Sequence, residues 1–236
     1  MSHIICTQPA QLQGKIMKKL KYTNIIFDAD GTLIDTVPEI LMGFNYAMEK
    51  CGRPLLTVDD IKPFIGPSII DSLQNALGFD PEGAMVALNH YRDFYSSKGY
   101  AMAGFFDGIV ELLDNLIAAG CTLCIATNKP QIYIDKIIEK LGATAKFKCI
   151  AGPEYGDPST DKTPLIKRAM AAAGDTNGSR SIMVGDRYID IEGAASAGIA
   201  SIAVEWGTAA TGEFQKYVPT YIAQKPSDIL SIIKNS

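Results

Sequence analysis

The chain has 236 residues, of which 47% are hydrophobic and 20% are charged, so it is long enough to bury a substantial core in one or two domains. Its net charge of −4 at pH 7 provides no basic surface for a nucleic acid polymer or an anionic membrane. No apolar run approaches the roughly 18 residues of a membrane span, and residues 1–21 lack the apolar middle of a secretory signal. We therefore expect a cytoplasmic globular protein whose residues 1–16 precede the folded part.

The first apolar run, at residues 25–27, predicts a buried central strand, and Gly31 marks the turn after it. Asp28 and Asp30 follow this strand directly. Alternate residues of an extended segment point the same way, so both carboxylates should address one point beyond the strand. Two carboxylates so close repel each other unless a cation or a shared proton is present, and Mg²⁺ satisfies such a pair. The alternative is an ordinary acidic turn.

Helical spacing begins after Thr36, which is placed to cap the first helix. This helix ends at Gly52, and further helices are predicted at residues 57–62, 67–77 and 81–97. No strand is expected between them. Residues 37–104 are therefore predicted to form a helical insertion that separates residues 1–36 from residues 105–236.

Strands and helices alternate after residue 104, which predicts an α/β fold with a parallel sheet and right-handed crossovers. The predicted strands are at 121–126, 147–151, 181–184 and 199–204, and the predicted helices at 107–119, 130–141, 162–173, 189–197 and 227–233.

The five cysteines do not suggest a disulfide framework, because their number is odd and they are scattered. Cys121 and Cys124 are three residues apart in a predicted strand, so their side chains should point to opposite faces and cannot share a metal. We expect buried structural thiols.

Polar residues also stand where later strands end. Thr127 and Asn128 offer a hydroxyl and an amide at a helix N-terminus, where they would either hold an anion or cap the helix that follows Pro130. Lys129 is interpreted as solvated. Lys162 lies in the first turn of a helix, where a cation is unfavourable to the helix dipole, so an anion in front of it explains its position better.

Asp186 follows the predicted strand at 181–184, and Asp190 lies in the first turn of the next helix. The spacing lets both carboxylates face the same crevice. Helix capping explains one of these residues but not the gathering of four carboxylates, a hydroxyl and a lysine at one edge of the sheet.

These residues resemble the motifs of the haloacid dehalogenase superfamily, in the family's order and over nearly the whole chain beyond the first residues. The matching segments are Asp28-Ala29-Asp30-Gly31-Thr32, Thr127-Asn128, Lys162 and Gly185-Asp186-Arg187-Tyr188-Ile189-Asp190. The resemblance implies a three-layer Rossmann-like core with a small all-helical cap inserted at residues 37–104.

The resemblance also implies hydrolysis of a small phosphomonoester through an aspartyl-phosphate. Asp28 would be the nucleophile and Asp30 the general acid and base. Thr127 and Asn128 would bind the phosphoryl oxygens, and Lys162 would neutralise their charge.

The implied cofactor is Mg²⁺, held by Asp28, the backbone carbonyl of Asp30 and Asp186, with Asp190 orienting metal-bound water. A monomer or homodimer acting on a phosphorylated metabolite is expected.

The segment from Ile189 to Gly207 is similar to the branch of phosphoglycolate phosphatases and 5′-nucleotidases, although Ala29 and Thr208-Ala209 depart from its pattern. A β-phosphoglucomutase-like mutase fits less well, because Gly185 replaces the glutamate usual before Asp186. A receiver-like phosphate-accepting signalling domain is the alternative from another class. Backbone amides at Gly66-Pro67-Ser68 are a candidate contact for the leaving group, or an ordinary turn before a helix.

Overall fold

The computed structural model describes residues 20–65, 68–97, 102–157 and 159–236. The predicted extension at residues 1–16 and most of the candidate turn at Gly66-Pro67-Ser68 lie outside these ranges. Within them, no helix has the length and apolar character needed to cross a bilayer.

Eight strands and ten α-helices are distinguished in the described residues. The strands are β1 (Asn24–Phe27), β2 (Ile34–Asp35), β3 (Gly104–Phe105), β4 (Thr122–Ala126), β5 (Cys149–Ala151), β6 (Ser181–Gly185), β7 (Ala200–Val204) and β8 (Tyr221–Ala223). The helices are α1 (Val37–Lys50), α2 (Val58–Ile61), α3 (Ile69–Asp71), α4 (Pro81–Ser97), α5 (Ile109–Ala118), α6 (Gln131–Lys140), α7 (Thr163–Ala172), α8 (Tyr188–Ala197), α9 (Glu213–Lys216) and α10 (Pro226–Asn235).

Six strands form one parallel sheet in the order β5-β4-β1-β6-β7-β8. Strand β1 lies in its interior, and Ile25, Ile26 and Phe27 are completely buried. Ile25 and Phe27 pack into one apolar cluster with α5, α6 and α10, whereas Ile26 packs into another with α7 and α8. The sheet therefore has helices on both faces, which confirms the predicted three-layer α/β architecture.

Cys121 and Cys124 belong to these two different clusters, on opposite sides of the sheet. Both are buried and free, as expected.

Helices α1 to α4, which we call the helical segment, surround an apolar cluster of their own. Phe44 on α1 contacts the rings of Phe64 and Tyr91, at centroid distances of 5.4 and 5.3 Å. The segment leaves the sheet after β2 and returns at β3, and these two short strands pair antiparallel. The two ends of the predicted insertion, at residues 37 and 104, therefore lie at one two-stranded ribbon.

Three local expectations need correction. Thr36 stands before α1, but its side chain makes no capping hydrogen bond; instead, Asp35 Oδ1 accepts from the Val37 amide at 3.2 Å. Strands β2, β3 and β8 and helix α9 were not predicted. They have two to four residues each, too few to show a hydrophobic period. The helix predicted at 67–77 is α3 followed by a π-helical turn at Ser72–Ala76.

Candidate active site

Side chains from four distant segments converge at the carboxyl edge of the parallel sheet. Asp28 follows β1, Thr127 follows β4, Asp186 follows β6, and Lys162 is the residue before α7. Their backbones continue the sheet pairing: the Asp28 amide donates to the Val184 carbonyl at 2.8 Å. The convergence expected from strand order is therefore present.

Three carboxylates form a buried cluster at this edge of the sheet. Asp28, Asp186 and Asp190 each present an oxygen atom within 4.8 Å of the others. Burial and the neighbouring Asp28 carboxylate raise the pKa of Asp186 to about 6. Burial also raises the pKa of Asp190, with Lys162 opposing this shift and the other two carboxylates adding to it. The cluster favours a bound cation or a retained proton.

Lys162 neutralises only part of this charge. Its Nζ lies 2.9 Å from Asp28 Oδ1 and 2.5 Å from Asp190 Oδ1, and its side chain is 1% exposed. Burial lowers the pKa of Lys162, but the Asp190 and Asp28 carboxylates outweigh that effect and raise it. Apart from this contact with Lys162, the buried Asp28 Oδ1 accepts no hydrogen bond in the described part of the chain. Oxygen ligands of this kind fit Mg²⁺.

Asp186 is held by groups that sequence reasoning did not assign to the site. Thr208 donates to Asp186 Oδ2 from its amide at 2.8 Å and from its hydroxyl at 2.9 Å, and Thr32 donates to Oδ1 at 3.2 Å. A Cβ added at Gly31 or Gly207 would lie 2.2 Å from the Asp186 side chain. Glycine is therefore required at both positions for this approach.

Asp30 faces a different lysine. Lys129 Nζ lies 3.2 Å from Asp30 Oδ1 and 3.5 Å from Glu39 Oε1 of α1. It also donates to the Tyr95 hydroxyl of α4 at 2.6 Å, and that hydroxyl donates to Glu39 at 2.7 Å. Burial raises the pKa of Asp30 and of Glu39, and Lys129 opposes both shifts.

The interpretation of Lys129 as solvated is therefore wrong. Its side chain is only 6% exposed, because α1 and α4 lie over it and supply two of its partners. The expectation that the Asp28 and Asp30 carboxylates point to the same place holds in part. Both line one cavity between the sheet edge and the helical segment, which we call the chamber. The Asp30 carboxylate is nevertheless outside the group of three that could hold a metal ion.

Thr127 and Asn128 line the chamber as well, and neither caps α6. The Thr127 hydroxyl accepts a hydrogen bond from the Lys129 backbone amide at 3.2 Å. The side-chain amide of Asn128 donates to the Thr160 backbone carbonyl at 3.1 Å. The capping alternative is therefore wrong for both, because Pro130 stands at the capping position.

Arg187 joins the site to the helical segment. Its guanidinium donates to Glu213 at 3.1 Å and to the backbone carbonyl of Ile65. Ile65 and Lys129 both line the chamber, which has a volume of about 400 Å³ and lies between the sheet edge and the helical segment. Asp28, Asp30 and Lys162 all face the chamber.

Comparisons with known proteins agree with this geometry. A family model described as haloacid dehalogenase-like hydrolase matches residues 25–204. The chain is 34% identical to a 5′-nucleotidase of Pseudomonas aeruginosa over 86% of this chain and 91% of that protein. It is 34% identical to a phosphoglycolate phosphatase of Agrobacterium fabrum over 77% and 80% of the two chains. The structure of a predicted phosphatase from Clostridium acetobutylicum superposes with a TM-score of 0.83 at 29% identity, covering 91% of this chain and 99% of that one.

Proposed function

Because the chain belongs to the haloacid dehalogenase-like hydrolases and is a phosphatase of that family, we propose that it hydrolyses a small phosphomonoester through an aspartyl-phosphate with Mg²⁺ as cofactor. The observation that carries this proposal is the buried group of Asp28, Asp186 and Asp190 with Lys162 in contact. This grouping supports the proposal, because a nucleophile, a cation site and an anion-binding lysine would all lie next to a phosphoryl group bound at Asp28.

Two steps account for the reaction. An Asp28 oxygen attacks phosphorus and the bond to the ester oxygen breaks, while Asp30 gives its proton to the departing alkoxide. Asp30 then takes a proton from water as that water attacks the phosphorus of the aspartyl-phosphate, which restores the Asp28 carboxylate and releases inorganic phosphate. Burial raises the pKa of Asp30, which favours a carboxyl that can carry the proton first.

Mg²⁺ would be held by Asp28, the backbone carbonyl of Asp30 and Asp186, with Asp190 directing a water molecule. When bound, it neutralises the carboxylates and the phosphoryl oxygens as they approach each other. Lys162 neutralises the same oxygens from the other side, and Thr127 and Asn128 orient them by hydrogen bonds.

We propose two candidate substrates. Phosphoglycolate is the first, on the resemblance of the segment at 189–207 and on relatives such as the Agrobacterium enzyme. A nucleoside 5′-monophosphate is the second, on the 34% identity to the Pseudomonas 5′-nucleotidase. The insertion at residues 37–104, which contains the helical segment, would act as the cap that selects between them. We also propose a cytoplasmic monomer or homodimer.

Hydrolysis of p-nitrophenyl phosphate with and without Mg²⁺ tests the proposal. We expect phosphate release with the cation, loss after exhaustive chelation, and recovery when Mg²⁺ is returned. Full activity after chelation would contradict the metal role. Stable phosphorylation without turnover would favour the receiver-like alternative.

A further inference from the structure

The chamber beyond the catalytic carboxylates has an aromatic wall. Tyr91 stacks on Tyr95 at 5.7 Å with an interplanar angle of 12°, and the edge of Tyr95 meets Tyr133 at 4.9 Å. Tyr133 in turn meets Tyr155 at 5.8 Å. All four rings line the chamber, so the wall runs from α4 across α6 to the loop that precedes Lys162.

The outer part of this wall is exposed. Tyr155 is 47% exposed, and so is Met85, a second apolar residue of the lining. Ile69, Ile70 and Leu88 add aliphatic surface from the helical segment. Apolar side chains left open to a chamber of about 400 Å³, a size typical of ligand pockets, favour an apolar occupant.

The two lysines of the lining are already paired with carboxylates of the protein. Lys162 and Lys129 each already contact two carboxylates. Arg92 is different: it has no carboxylate within 4 Å in the described residues, and its guanidinium lies 5.3 Å from the centroid of the Tyr155 ring. A two-carbon leaving group would stay near the catalytic carboxylates and leave this outer surface to water.

We propose that the chamber selects phosphomonoesters whose leaving group carries a planar aromatic ring, held at the wall of Tyr133 and Tyr155 with Arg92 beside it. This inference rests on the proposed phosphatase function and specifies its substrate class. Edge-to-face contacts with the tyrosines and a cation–π contact with Arg92 stabilise such a ring. Nucleoside monophosphates and phenolic phosphate esters share this chemistry.

The test compares benzyl phosphate with cyclohexylmethyl phosphate. Both have primary alcohol leaving groups and six-membered rings of similar size, so the ratio of their kcat/KM values reports planarity and π character. We expect benzyl phosphate to be preferred about three- to tenfold, and phosphoglycolate to be the poorest of the three. Equal values for the two ring esters, or a preference for phosphoglycolate, would overturn the inference while leaving the phosphatase function intact.

A matched pair of variants locates the effect. Tyr155→Leu should lower the benzyl to cyclohexylmethyl ratio to near one. Tyr46→Leu should not change it, because Tyr46 contacts Phe94 and His90 and does not line the chamber. An unchanged ratio in Tyr155→Leu would remove Tyr155 from the ring site. AMP and phenyl phosphate then separate the two natural sources, and a preference for AMP, whose leaving group is also a primary alcohol, over phosphoglycolate supports the class.

Binding measurements can test the ring site even if the protein does not hydrolyse phosphomonoesters. If no ester is hydrolysed with Mg²⁺, calorimetry with benzylphosphonate and cyclohexylmethylphosphonate measures the same preference. Tighter binding of the benzyl compound would support the ring site in a protein that lacks the proposed activity. Equal affinities would refute it.

Discussion

Asp28 occupies a position that is costly for an ionised side chain, and its neighbours explain how it is tolerated. Lys162 is 2.9 Å away, yet two further buried carboxylates share the same space. An uncompensated cluster of buried charges destabilises a fold. Proteins keep such clusters mainly where the carboxylates are needed for function.

Asp28→Asn therefore separates chemistry from stability. We expect kcat for p-nitrophenyl phosphate to fall by at least about 10⁴-fold, because the amide is no nucleophile. The thermal unfolding midpoint should be unchanged or higher, since one repelling charge is removed. Asp114→Asn, at an exposed surface pair with Lys146, should leave kcat unchanged. Retained hydrolysis by Asp28→Asn would exclude the nucleophilic role.

The Lys129 side chain shows the opposite arrangement, because one cation lies between the buried Glu39 and the mostly buried Asp30. Lys129→Met would leave Asp30 and Glu39 without it. We expect the free energy of unfolding from urea titration to fall by roughly 3–5 kcal/mol, the usual effect of removing one partner from a buried ion pair. Adding Glu39→Gln should restore part of this loss, because the two residues interact directly.

The control for Lys129→Met is Lys146→Met, which removes the partly exposed partner of Asp114. Its effect should stay within about 0.5 kcal/mol. Equal losses in both variants would mean that the buried contacts of Lys129 contribute little.

At the scale of single elements, the parts predicted from sequence were those whose signal is local. Strand β1 is apolar on both faces, so it was recognisable as central, and Asp28 and Asp186 each follow a strand directly. Lys129 gave no such signal, since its partner Tyr95 is 34 positions away. Thr208 lies 22 positions from Asp186, in a loop without a recognised motif. Contacts of this kind depend on packing between elements.

The loop after β7 provides a test at this scale. Gly207→Ala would place a Cβ 2.2 Å from the Asp186 side chain, which must then shift. We expect calorimetry to show Mg²⁺ affinity about 10- to 100-fold weaker, as for other changes in groups that orient a metal ligand. Gly104→Ala, at a position with no atom within 4 Å of the added Cβ, should bind Mg²⁺ normally. Identical affinities in both variants would show that Asp186 does not hold the metal.

For the whole molecule, the central question is whether the helical segment moves. Lys129 and Arg187 connect it to the sheet edge through Glu39, Tyr95 and the Ile65 carbonyl. These contacts hold the helical segment against the sheet edge, and we propose that they break and form again in a motion at the β2–β3 ribbon.

Small-angle scattering measures this motion directly. The radius of gyration should be larger for the protein alone than with Mg²⁺ and beryllofluoride, because a phosphoryl mimic on Asp28 adds contacts only in the closed form. Arg187→Ala should increase the radius without ligand, since it removes one connection. Superimposable curves in all three samples would rule out closure.

The pairing of β2 with β3 has an evolutionary consequence. Because Ile34 lies opposite Phe105, the outgoing and incoming strands of the insertion are neighbours, and the residues between them are absorbed without displacing any strand of the sheet. A segment attached in this way can be replaced by one of different length and composition while the hydrolytic residues keep their places. If residues 37–104 select the substrate, as we propose, their exchange between relatives would change the substrate without altering the proposed catalytic residues at the sheet edge.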